Sequence, residues 1–134
     1  MTDVERELAV KLAGHPKWKW MIGILADDGN RVLAIGDGGR VLISEISGMA
    51  HVWQEPSEMP APFLSDPATH GCLIEMLDAA ALPDRIDAIA PVAGGWRVDT
   101  MREGRILPKH HHGSTRGEAL ARALLSVWSE PETA

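Results

Sequence analysis

Tyrosine is absent from this sequence, and phenylalanine and cysteine occur once each, so aromatic packing falls almost entirely to five tryptophans. The lone Cys72 cannot close an internal disulfide and lies in an apolar helical pattern, which predicts a buried thiol in a reducing compartment. No apolar run exceeds 21–26, with Gly23 inside it, far short of the ~20 residues that cross a bilayer. A membrane-spanning helix is thereby excluded, and no membrane partner is expected. The first residues are acidic where an export signal carries positive charge ahead of an apolar stretch, so the cytoplasm is the expected compartment.

Positive charge is also short. Thirteen Lys and Arg stand against nineteen Asp and Glu, a net of −6, shared as six against nine in 1–65 and seven against ten in 66–134. Neither part is a basic arm, and direct nucleic-acid binding is not expected. The acidity is nevertheless modest beside a duplex backbone, which carries about one charge per 1.7 Å, so nucleic-acid mimicry gains no support.

What is present is a chain of 134 residues, one ordinary domain or two very small ones. Val4, Leu8 and Leu12 share a helical face behind acidic Asp3, Glu5 and Glu7, and Gly14 with Pro16 ends that helix. Residues 20–26, 31–36, 40–46 and 50–54 then read as a β-meander punctuated by Asp27-Asp28-Gly29-Asn30, Gly36-Asp37-Gly38-Gly39 and Ser47-Gly48. Pro56, Pro60, Pro62 and Pro67 predict an extended linker over 56–67, dividing an N-terminal unit, 1–55, from a C-terminal unit, 68–134. In the latter, Asp66-Pro67 opens a helix that runs to Leu82-Pro83. Strands follow near 86–92, 95–101 and 105–110, and the capping box Thr115-x-x-Glu118 starts a last helix. The expected fold class is therefore α+β: an N-terminal helix and antiparallel β-meander, then an α-β-β-β-α unit.

Few residues carry recognisable chemistry. Lys109-His110-His111-His112-Gly113 could bring His110 and His112 to one side of an extended chain, but a closed zinc site wants four ligands, so the tract reads as a solvated loop and no metal or other cofactor is expected. The glycine-rich 36–39 segment leads into a strand rather than a helix, which makes it a turn and not a phosphate cradle. His70 and Cys72 lie on different sides of a helix, and no G-x-S-x-G occurs. No catalytic residue is assigned, and the chain reads as a non-enzyme.

Binding residues are easier to nominate. On an extended segment Trp18 and Trp20 face one way and Lys17 and Lys19 the other; the indoles serve as core, as interface anchors, or one as each. A hairpin turning at Arg102-Glu103-Gly104, with Met101 opposite Arg105, would place Trp96, Val98, Thr100, Ile106 and Pro108 on the core face. Arg97, Asp99, Met101, Arg105, Leu107 and Lys109 would then line an outer face that is either solvated or partner-binding. The candidate partner-binding residues are Trp18, Trp20, Arg97, Arg105 and Lys109. The α-β-β-β-α order is also that of double-stranded RNA-binding domains, but their basic helix-end cluster is missing at Thr115-Arg116-Gly117-Glu118.

Three segments, Phe63-Leu-Ser-Asp-Pro-Ala-Thr-His-Gly-Cys-Leu-Ile74, Gly95-Trp96-Arg97-Val98 and Gly117-Glu-Ala-Leu-Ala-Arg-Ala-Leu124, are ordered like motifs of small tailed-phage and prophage proteins. The chain resembles the phage ABA sandwich family, and His15-Pro-Lys-Trp-Lys-Trp-Met21 before the meander resembles the start of related prophage reading frames. The last helix departs from the family in lacking a cysteine within Ala119-Leu-Ala-Arg-Ala123. The resemblance implies a phage setting, hence the host cytoplasm, and carries over no catalytic residue. The functional expectation is a non-enzymatic phage or prophage accessory protein that binds a host or phage protein complex, with inhibition of a host defence such as CRISPR as its specific form. The alternative is a structural or morphogenesis component acting as a homo-oligomer.

Overall fold

A computed structural model describes residues 1–44, 51–80, 84–102 and 107–129. Helix α1 (Asp3–Ala13) begins with a reciprocal capping box: the Thr2 hydroxyl accepts from Glu5 N–H at 3.1 Å, and Glu5 Oε1 accepts from Thr2 N–H at 3.0 Å. Its buried face is Glu5, Leu8, Ala9 and Leu12; Val4 is exposed, so the apolar stripe is turned by one residue from the expected one.

Strands β1 (Val32–Ile35), β2 (Val41–Ser44) and β3 (His51–Gln54) form an antiparallel sheet in that order. Val32, Val41 and Ile43 bury one face, and Leu42 lies beside Trp53 on the other. Gly38 and Gly39, at φ +70° and +79°, supply the left-handed conformations that the β1–β2 turn needs. The strand expected over 20–26 is reduced to two isolated bridges, Leu25 with Arg31 and Ala26 with Pro62. Gly23, at φ +102°, breaks the pleat before it can propagate.

Contacts divide the chain into two compact units, Met1–Cys72 and Leu73–Ala134, so the boundary falls inside α2 (Pro67–Ala80) rather than in the proline-rich stretch. That stretch, expected as a linker, is hydrogen-bonded into the first unit. Asp27 N–H donates to the Ala61 carbonyl and Phe63 N–H to the Leu25 carbonyl, both at 2.8 Å, and Leu64 is fully buried. Cys72 is buried as its apolar surroundings predicted, and its thiol donates to the Ile22 carbonyl.

In the second unit β4 (Asp84–Val92), β5 (Gly95–Arg102) and β6 (Lys109–Gly113) form an antiparallel sheet in that order. Helix α3 (Arg116–Ser129) packs on β5 and β6. It buries Leu120 and Leu124 completely, each contributing roughly 1.5–3 kcal/mol through removal of its side chain from water. Within the described residues the last strand starts at Lys109, later than expected, and the histidine tract is strand rather than loop. The expected turn at 102–104 and the Met101–Arg105 pairing involve residues outside the described ones. Thr100 pairs with Lys109, Val98 with His111 and Arg97 with His112, so Lys109 belongs to the helix-covered face and not to the face of Arg97. The physical reason is the burial of His111, which shares a 3.1 Å hydrogen bond with Thr100 and fixes the alternation of the tract. None of the described helices is long and apolar enough to cross a membrane.

Candidate functional site

Pro16 and a turn in which Trp18 N–H donates to the His15 carbonyl swing the chain away from α1 into an irregular extended segment. Trp18 and Trp20 meet there edge to face, with ring centroids 5.4 Å apart and planes at 89°, the arrangement that brings one ring's positive edge to the other's negative face. Trp20 is 8% exposed and belongs to the core of the first unit, whereas Trp18 is only partly covered.

Both indoles border a cleft of about 550 Å³. Ala13, Ile35, Gly39 and Pro56 supply apolar walls, and Lys19 and Ser57 the polar groups. Gly39 has a positive φ, and Pro56 Cγ lies 3.6 Å from where its Cβ would stand. Ile35 is 40% exposed, so the cleft presents apolar surface to solvent. Among the described residues, Lys19 is the one charged residue lining it. Trp18 Nε1 is buried and has no hydrogen-bond acceptor among the described residues, an arrangement that costs roughly 1–3 kcal/mol while it lasts.

The remaining candidates lie elsewhere. Arg97 Nε stands 3.0 Å from Asp99 Oδ1 as an ion pair, but off the hydrogen-bonding direction. His110 Nδ1 donates to the same oxygen at 2.6 Å. Arg97 therefore balances a buried carboxylate instead of standing free as an anchor. Lys109 Nζ donates to Ser126 of α3 at 2.8 Å, and Arg105 lies outside the described residues. His112 is exposed opposite Arg97, its ring 6.4 Å from that of His110. Among the described residues no group of three or more His, Cys, Asp or Glu could hold a metal ion. The Asp99–His110 pair resembles an oriented base, but the described residues of its sheet face carry no Ser, Thr or Cys beside it to serve as nucleophile.

Sequence reasoning found the two tryptophans that share the cleft and missed its other walls. Ile35, Gly39 and Pro56 reach it from segments distant in sequence, and no local pattern announces that convergence. It also missed the clamp that fastens the first unit's loops to the start of α2. Arg31 grips Asp66 through both guanidinium arms at 3.1 Å and donates to the Gly23 carbonyl at 2.7 Å. Asp66 in turn accepts from Thr69 N–H and Oγ1, and Thr69 Oγ1 accepts from Leu25 N–H. The Arg31 hydrogen bond pulls the Asp66 carboxyl below its ordinary range, and the Asp66 hydrogen bond raises Arg31 further above neutral pH.

Comparison of the chain with protein-family models, with curated proteins and with solved structures finds no match.

Proposed function

We propose that this chain is a non-enzymatic phage or prophage accessory protein that acts in the host cytoplasm by binding another protein, with inhibition of a host defence system, for example CRISPR interference, as its specific form. The phage setting rests on the sequence resemblance. The observation that carries the binding reading is that Trp18 and Trp20 border a single open cleft with the exposed Ile35 and Lys19. Tryptophan in a partly enclosed apolar recess is the residue most often found at the energetic centre of a protein interface. Arg97 and Lys109 are each engaged within the second unit, with Asp99 and Ser126.

The test is affinity capture from host lysate with the tagged full chain, identification by mass spectrometry, and reconstitution with the purified candidate. Trp18→Ala, confirmed folded by circular dichroism, is expected to weaken the reconstituted complex roughly tenfold or more, about 1.4 kcal/mol. Unchanged affinity in that variant overturns the assignment of the cleft. Recovery of only the chain itself or of virion proteins favours the second reading, a structural component that self-associates. The exposed apolar side chains of Leu33 and Ile35 on one face of β1 support that alternative.

A further inference from the structure

Among the described residues that line the cleft, the single charge is positive, against the net charge of the chain. In a protein of net charge −6, residues 8–26 contain Lys11, Lys17 and Lys19 and no carboxylate. Asp37, Glu55 and Glu58 flank the segments that form the opposite wall, yet none of them lines the cleft. Glu55 is drawn instead to Arg40, at 3.6 Å, and Glu58 folds back on the Glu55 N–H. Lys19 is exposed, lines the recess and makes no ion pair with any described residue. A recess of this volume, with mostly apolar walls and a few polar groups, is of the size and character that bury a ligand side chain.

Resting on the protein-binding reading above, we infer that the cleft takes an acidic segment of the partner, in which an apolar side chain enters between Trp18 and Ile35 while an adjacent Asp or Glu carboxylate meets Lys19. The apolar walls supply affinity and the ammonium selects the sign of charge. A basic or neutral segment of the same shape would leave Lys19 unpaired or opposed.

The probe is the peptide acetyl-Ser-Phe-Glu-Leu-Ser-amide, with its Gln and Lys counterparts at the central position, titrated into the full-length chain. Binding is followed by tryptophan fluorescence and by the indole N–H resonance of Trp18, assigned through its loss in Trp18→Phe. The expected result is that the Glu peptide shifts that resonance and binds at least fivefold more tightly than the Gln peptide, and that the Lys peptide binds weakest. Lys19→Glu reverses the order of the Glu and Lys peptides. Equal binding of all three peptides, or an order unaffected by Lys19→Glu, overturns the acidic-segment inference and leaves the cleft as a neutral docking site. Absence of binding by any of the three up to millimolar concentration also overturns it. If the partner complex at the same time loses affinity in Trp18→Ala, only this inference has failed; if that complex is also indifferent to Trp18→Ala, the protein-binding reading of the cleft fails with it.

Discussion

Arg31 and Asp66, 35 positions apart in the chain, form a two-armed ion pair that fastens the turn at Gly23 to the start of α2. Asp66 is at once the partner of that guanidinium and the N-terminal cap of the helix, so one carboxylate satisfies two structural demands.

Its removal separates the two roles. Asp66→Asn keeps an oxygen for the cap and is expected to cost roughly 1 kcal/mol, toward the low end for an ion pair because Arg31 is 38% exposed and water screens it. Asp66→Ala loses the cap as well and should cost about 2 kcal/mol. Urea unfolding of the two variants measures both steps.

The same pair sets an acid limit. Because folding lowers the Asp66 pKa, its contribution is fully present above the ordinary carboxylate range and is lost as pH falls through the lowered folded value. The stability gap between wild type and Asp66→Asn is therefore expected to be constant near neutrality and to close in acid. A gap that persists unchanged through acid unfolding would show that the charge of Asp66 does not contribute.

Trp18 and Trp20 should part company in stability. Trp20→Ala removes a core side chain and is expected to cost roughly 3–5 kcal/mol, whereas Trp18→Ala should cost less than half of that because the ring is partly solvated. Thermal or urea unfolding decides it, and equal costs would place Trp18 in the core instead of at a binding surface.

In the second unit, Asp99→Asn weakens the carboxylate that faces Arg97 and His110. About 1–2 kcal/mol is expected, with a smaller loss for His110→Ala because that imidazole is half exposed. A double-mutant cycle between the two positions should return a coupling of at least ~0.5 kcal/mol, and strict additivity would argue against the 2.6 Å contact.

Local signals were legible in the chain. The start of α1, the Asp66-Pro67 cap, the glycine turn between β1 and β2 and the Thr115 cap of α3 each depend on residues within a few positions of one another. What was not legible depends on distant partners. The 56–67 stretch looks like a spacer by composition, yet it is held against Leu25 and Asp27 by backbone bonds that composition cannot encode. The histidine tract looks solvated until Thr100 and α3 are brought over His111. Arg97 looks like a free anchor until the strand register sets a buried carboxylate beside it, and Trp18 and Trp20 acquire a cleft only when Ile35, Gly39 and Pro56 arrive from elsewhere.

Three consecutive identical residues in β6 leave its pairing frame chemically ambiguous, since sliding the strand by one position still delivers an imidazole opposite Val98. Gly113 removes the ambiguity. It lies opposite Trp96 where α3 begins, and a side chain there would meet Ala119 N at 2.5 Å and Glu118 Cβ at 2.9 Å. A slip that carried His112 into that place would drive a ring into helix backbone. The absence of a single methyl group thus acts as the frame marker for the whole strand, and through it decides which of the three histidines is sealed inside and which two meet solvent.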